Sequence, residues 1–196
     1  MKSILKLIVV AAVSAVLPLP AKAQPVKIEG FEEGMRQAFA EYKKGDTDAV
    51  TAKLRELLKL MEAQGAVKIG ALLPDAVDAW KGESLKIDDG AAGGGGVSIS
   101  RNYVSGENRI GVKVVKDSPT VTELLPLFAN EELIRMTQRK MHKISGQTAI
   151  MEGENKLQIV VDGRILVELE GDAGTGETGL VAFANKLDLA ALAKIK

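Results

Sequence analysis

The stretch KLQIVVDGRILVELEG, residues 156–171, decides the fold. Two apolar runs, 157–161 and 165–169, flank Asp162-Gly163, a strong short-range turn signal. Leu157, Ile159 and Val161 share one face of the first run. Ile165, Val167 and Leu169 share one face of the second. A two-residue loop of Asp162-Gly163 sets these apolar sets on opposite sides. A three-residue loop of 161–163 brings them together, with Ile159 opposite Ile165 and Leu157 opposite Val167. A one-residue slip flips every side chain, so the burial pattern selects the three-residue loop. Gly163 then takes the left-handed position of a bulge, where a side chain is costly. The other face carries Gln158, Glu168 and Glu170 beside Val160 and Leu166. It is expected to be wet at one end and covered at the other.

The chain around this hairpin is ordinary globular material, 46% hydrophobic and 27% charged over 196 residues. It contains no cysteine, which excludes disulfides, thiolate metal sites and a cysteine nucleophile. Residues 1–23 have the form of a secretory leader. Lys2 and Lys6 precede an apolar run that is short for a membrane span, and Ala21-Lys22-Ala23 is a cleavage motif. Cleavage between Ala23 and Gln24 implies a periplasmic or secreted protein with no transmembrane segment left after processing. Three of the 26 basic residues leave with the leader, against 26 acidic residues that stay. The slightly acidic remainder argues against nucleic acid as a partner.

Residues 24–64 contain a helical hairpin. Phe31, Met35, Ala38, Phe39 and Tyr42 recur on one helical face, and so do Val50, Leu54, Leu57, Leu58 and Met61. Gly45 is a natural C-cap, and Asp46 or Thr47 a natural N-cap. The segment AEYKKGD at 40–46, followed by Ala49, resembles the tetratricopeptide helix-turn-helix unit. That resemblance covers one unit, and such repeats need about three to stack. It implies a helical pair that docks on the rest of the chain or on a partner.

Residues 65–96 are a connector ending in the glycine-rich run 90–96. Its Trp80 has two readings, an anchor onto the core or a ligand-stacking surface. Residues 97–115 form a second hairpin. A loop at 105–108 sets Tyr103 opposite Ile110 and Ile99 opposite Val114. Arg101 falls on the same inward face, where it either reaches water at the strand end or meets an anion or carboxylate.

Ser118-Pro119 starts a helix, and Pro126 is expected to break or kink it. Asn130 caps a second piece, expected to run from Glu131 to about Met141. Arg135, Arg139 and Lys143 then make a positive stripe at a spacing of four. It suits an acidic partner or lipid head groups, or else simply faces water. Residues 144–153 read as a strand. Residues 180–195 read as a C-terminal helix, divided where Asp188 can cap a second piece.

Motifs that resemble chemistry lack their context. Gly174, Gly176 and Gly179 form G-x-G-x-x-G, but no βαβ unit can follow before the chain ends. The overlapping near-match to a phosphate-binding loop has Glu177 where lysine is needed. His142 is the only histidine, and no G-x-S-x-G elbow is present. Glu168 and Glu170 lie on one strand face, whereas glycosidase carboxylates oppose each other across a bond. No catalytic residue, metal ligand or cofactor is therefore assigned.

The expected fold is α+β. An antiparallel sheet of about five to six strands at 97–196 carries helices on one face, with the helical hairpin before it. The order of the hairpin, a Leu-Pro/Trp segment, a Ser-Arg-x-Tyr strand and an Asp-Ser-Pro helix start is similar to a group of uncharacterised exported bacterial proteins, and that resemblance implies no activity. The favoured function is non-catalytic binding of another protein or of the envelope surface. The alternative is a small-ligand binding domain with a pocket between sheet and helices. The candidate binding residues are Trp80, Arg101, Tyr103, Arg135, Arg139 and Lys143.

Overall fold

The computed structural model describes residues 28–88 and 96–195. The leader expected at 1–23 and most of the glycine run lie outside the described residues. The first elements of the described residues are two helices, α1 (Phe31–Lys44) and α2 (Thr47–Gly70). Gly45 ends α1 in the left-handed conformation. The Asp46 carboxylate accepts the Ala49 N–H at 2.9 Å and starts α2. The helix then runs past the expected end near residue 64, so its last turns occupy the first part of the connector.

Strands β1 (Ala76–Val77), β2 (Trp80–Gly82) and β3 (Lys86–Asp88) fill much of the remaining connector. Then come β4 (Val97–Ser105), β5 (Asn108–Lys116), α3 (Pro119–Phe128) and α4 (Glu131–Met136). After them lie β6 (Met141–Ile144), β7 (Gln147–Glu152), β8 (Lys156–Val161) and β9 (Ile165–Gly171). The chain closes with α5 (Gly176–Ala184) and α6 (Leu189–Leu192), the latter capped by Asp188 through the Ala191 N–H at 2.8 Å.

Among the described residues nine strands form one antiparallel sheet in the order β1-β2-β4-β5-β9-β8-β7-β6, with β3 also paired to β4. The sheet is larger than the expected five or six strands. The additions are the short strands β1 to β3 and the strand β6. The β4–β5 register places Tyr103 opposite Ile110 and Ile99 opposite Val114, as the alternation requires. The β8–β9 register differs from the expected one by two residues. Val161 faces Ile165, Ile159 faces Val167 and Leu157 faces Leu169. The turn is Asp162-Gly163-Arg164, with Asp162 and Gly163 both at positive φ. A two-residue slip keeps every side chain on its face, so the apolar face survives it.

Helices cover both faces of the sheet, not one. On the first face Leu157, Ile159, Val167 and Leu169 pack with Ile69 of α2 and with Leu180 and Phe183 of α5. On the second, Val160, Leu166 and Ile150 are sealed by Val121 and Phe128 of α3 and Ile134 of α4. The reason lies in the mixed second face of the β8–β9 hairpin. Its apolar end needs a cover, and α3 and α4 supply it. The polar end is closed differently, by a 2.9 Å hydrogen bond from Gln158 to Glu168. Pro119 begins α3 behind the Ser118 cap, and Pro126 lies in its last turn, two residues before it stops.

Candidate functional site

Two regions carry the candidate residues. The first is the sheet edge at β2 and β4. Gly82 pairs with Tyr103, which brings Trp80, Arg101 and Tyr103 into one neighbourhood. Trp80 is half-buried and meets Phe183 edge-on at 6.0 Å between ring centroids. Tyr103 is buried and meets the same ring at 4.8 Å. Its hydroxyl donates to the Pro74 carbonyl at 2.9 Å, and burial pushes the phenol above its ordinary range while Arg101 pulls it down. These two aromatics tie the β1–β2 segment to α5.

Arg101 is buried, with only 8% of its side chain exposed. Its Nη1 donates to the Leu73 carbonyl at 3.0 Å and to Asp75 Oδ1 at 2.6 Å. Its Nε–H is buried with no acceptor among the described residues. Of the two readings open for Arg101, the structure has the carboxylate contact, and the carboxylate is the chain's own. Gly82 makes room for this arginine: a Cβ there would stand 2.9 Å from Arg101 Cδ and 3.0 Å from the Asp75 carbonyl oxygen. Arg101 and Asp75 also line a groove of about 410 Å³ beside the end of α2. Trp80 and Tyr103 do not line it.

The second region is the basic segment, and here the expected stripe does not form. Helix α4 stops at Met136, and Gln138 turns the chain at positive φ. Residues 141–144 join the sheet as β6, so Lys143 lies on a strand. A helical spacing of four therefore does not relate Arg135, Arg139 and Lys143. Each also has an acidic neighbour: Glu131 lies 4.0 Å from Arg135 and 2.9 Å from Lys143, and Glu152 lies 4.0 Å from Arg139. The Lys143 contact holds the Glu131 carboxyl below its ordinary range.

The glycine-rich loop before α5 is closed on itself. Asp172 Oδ1 accepts the Thr175 hydroxyl at 2.7 Å and the Thr175 N–H at 3.0 Å, and Oδ2 accepts the Arg109 N–H at 2.6 Å. These donors, the Thr175 hydroxyl first, hold the Asp172 carboxyl below its ordinary range. A carboxylate of the chain thus sits where an anion-binding loop would need open N–H groups. Glu177, at the start of α5, pairs with Lys140 and, at 3.0 Å, with the single histidine, His142. Glu168 is taken by Gln158 and by Lys156 at 2.9 Å. Among the described residues no group of three or more histidine, aspartate or glutamate side chains is placed to hold a metal ion.

A third region was legible only as helical periodicity. Of the two stripes on the helical pair, Ala38 and Leu57 are buried, as is Gly34, which lies outside the stripes and packs against Leu57. Met35, Phe39 and Tyr42 of α1 and Leu54, Leu58 and Met61 of α2 are exposed. Phe39 and Tyr42 stack at 6.3 Å, and Lys43 lies 4.7 Å above the Phe39 ring.

The chain matches no family model, no curated protein and no solved structure. Among the described residues no helix is long and apolar enough to cross a membrane.

Proposed function

We propose that this chain is a non-catalytic exported protein that binds another protein through one face of the α1–α2 pair. The observation that carries the reading is the set of large apolar side chains left in water there. Phe39 is 57% exposed, Tyr42 68% and Leu58 54%. At 100° per residue, Met35, Phe39 and Tyr42 lie to one side of the Gly34–Ala38 contact line of α1. Leu54, Leu58 and Met61 lie to one side of Leu57 on α2. Because the helices are antiparallel, the two displacements fall on the same side of the pair. The six side chains make one apolar face, and contiguous exposed apolar patches mark interaction sites.

Two features favour a protein as the occupant. The face is built from two helices, with side chains at spacings of three and four that suit a partner helix laid along it. Its aromatic and methionine side chains are types enriched at protein interfaces. The leader at 1–23 supports export, and with it a partner in the periplasm or outside the cell.

Affinity capture of the wild-type protein and of a Phe39→Ser/Tyr42→Ser/Leu58→Ser variant tests this reading. A stoichiometric partner present with the first and lost with the second is the expected result. Retention of the same partner by the variant contradicts the assignment of the face. Binding of the wild type to anionic lipid vesicles, with no protein captured, places the face on the envelope surface instead.

A further inference from the structure

We propose that the groove beside the end of α2 binds a small carboxylic acid with an apolar tail, its carboxylate taking the place of Asp75 on Arg101. This site is separate from the apolar face of the helical pair and does not depend on it.

The groove, of about 410 Å³, is of a size that holds small molecules. Its walls are apolar, with Ala66 and Gly70 from α2, Leu85 and Ile87 around β3, and Ile99 from β4. At its polar end stands one cation, Arg101, carried inward by the alternation of β4. A guanidinium this deeply buried is ordinarily paired with an anion, and the Leu73 carbonyl alone supplies no countercharge.

The anion it has is a solvent-exposed carboxylate that makes one hydrogen bond to it. The Asp75 side chain is 98% exposed and reaches Arg101 through a single 2.6 Å contact to Nη1. Releasing Asp75 returns it to water with little else lost. Arg101 is also under-supplied, since its buried Nε–H has no acceptor among the described residues. A buried donor without a partner is uncommon in folded proteins, and a second carboxylate oxygen on this arginine would give it one. A carboxylate brings two oxygens to a planar fork of five donors. An alkyl tail attached to it would cover Leu85, Ile87 and Ile99, which Asp75 cannot do.

Asp75 is therefore a competitor built into the site. Its removal should strengthen binding, whereas loss of a merely structural ion pair would not. The test is calorimetric titration of the protein with octanoate, with octanol as the uncharged control. Saturable binding of octanoate and not of octanol is expected. Asp75→Ala should bind octanoate about tenfold more tightly, a difference titration resolves easily. Ala71→Trp, which fills the groove from its exposed rim, should abolish binding with the fold intact. The Arg101 Nε–H resonance should move with octanoate and stay in place with octanol. Absence of octanoate binding to both wild type and Asp75→Ala overturns the proposal. So does equal binding of octanol, or binding unaffected by Ala71→Trp.

Discussion

Gly34 of α1 lies against Leu57 of α2 so closely that a Cβ at Gly34 would stand 2.5 Å from Leu57 Cδ2. This contact sets how the helical pair closes. Glycine inside a helix is ordinarily a cost, and alanine in its place ordinarily a gain of about 0.5–1 kcal/mol. Here the added methyl must displace a leucine that is itself buried. Gly34→Ala is therefore expected to lower stability, by about 1–2 kcal/mol after the gain in propensity is set against the overpacking. Urea unfolding followed by far-ultraviolet circular dichroism measures it. A midpoint that rises would show that the helices do not need the close approach.

The account separates leucines by position. Leu166 is buried in the second face of the sheet, beneath α3 and α4. Leu166→Ala should cost about 2–5 kcal/mol, the range for a cavity opened in a core. Leu58 is exposed on α2, and Leu58→Ser should change stability by no more than about 0.5 kcal/mol. Thermal unfolding of the two variants checks the contrast. Similar losses in both would mean that the exposed face is packed in solution.

Asp117 follows β5 and clasps Arg164 in the β8–β9 turn, through Oδ1 to Nε and Oδ2 to Nη2, both at 3.0 Å. The Arg164 hydrogen bonds, with a further contact from Lys116, hold the Asp117 carboxyl below its ordinary 3.8. A folded-state value below the unfolded one adds stability that is complete above the unfolded value and is lost as the pH falls through the folded one. Wild type should therefore be more stable than Asp117→Asn at neutral pH, and the gap should close as the pH falls below the unfolded value and through the folded one. Asparagine suits this test because it tolerates the positive φ at position 117. Urea midpoints across the acid range measure the gap, and a pH-independent gap would remove the ion pair as its cause.

The sequence made faces legible where the period was regular. Alternation alone put Ile99, Tyr103, Ile110 and Val114 on one side of β4 and β5, and the register followed. At Asp162-Gly163 it fixed the face but not the register, because a slip of two residues preserves every apolar contact pattern. Strands β1 to β3 are two or three residues long and lie among Lys, Gly and Glu, too short for any alternation to register. The basic stripe failed for a local reason. Arg135, Arg139 and Lys143 fit a helix by spacing, but Gln138 adopts a left-handed backbone that no spacing rule anticipates. The apolar stripes of α1 and α2 were visible, yet amphipathicity alone does not say whether the rest of the chain or a partner covers them. Arg101 was identifiable as an inward charge needing a partner, while Asp75, on the irregular segment before β1, was not.

The most direct measurement is site-specific photo-crosslinking in the cells that make the protein. One photoreactive residue replaces Tyr42, on the apolar face, and another replaces Glu154, in the exposed β7–β8 turn at the far end of the sheet. The account predicts a discrete crosslinked protein species from position 42 and none from position 154, with the species lost when Phe39 and Leu58 are changed to serine. An uncrosslinked monomer at position 42, or an equal yield from both positions, would contradict it.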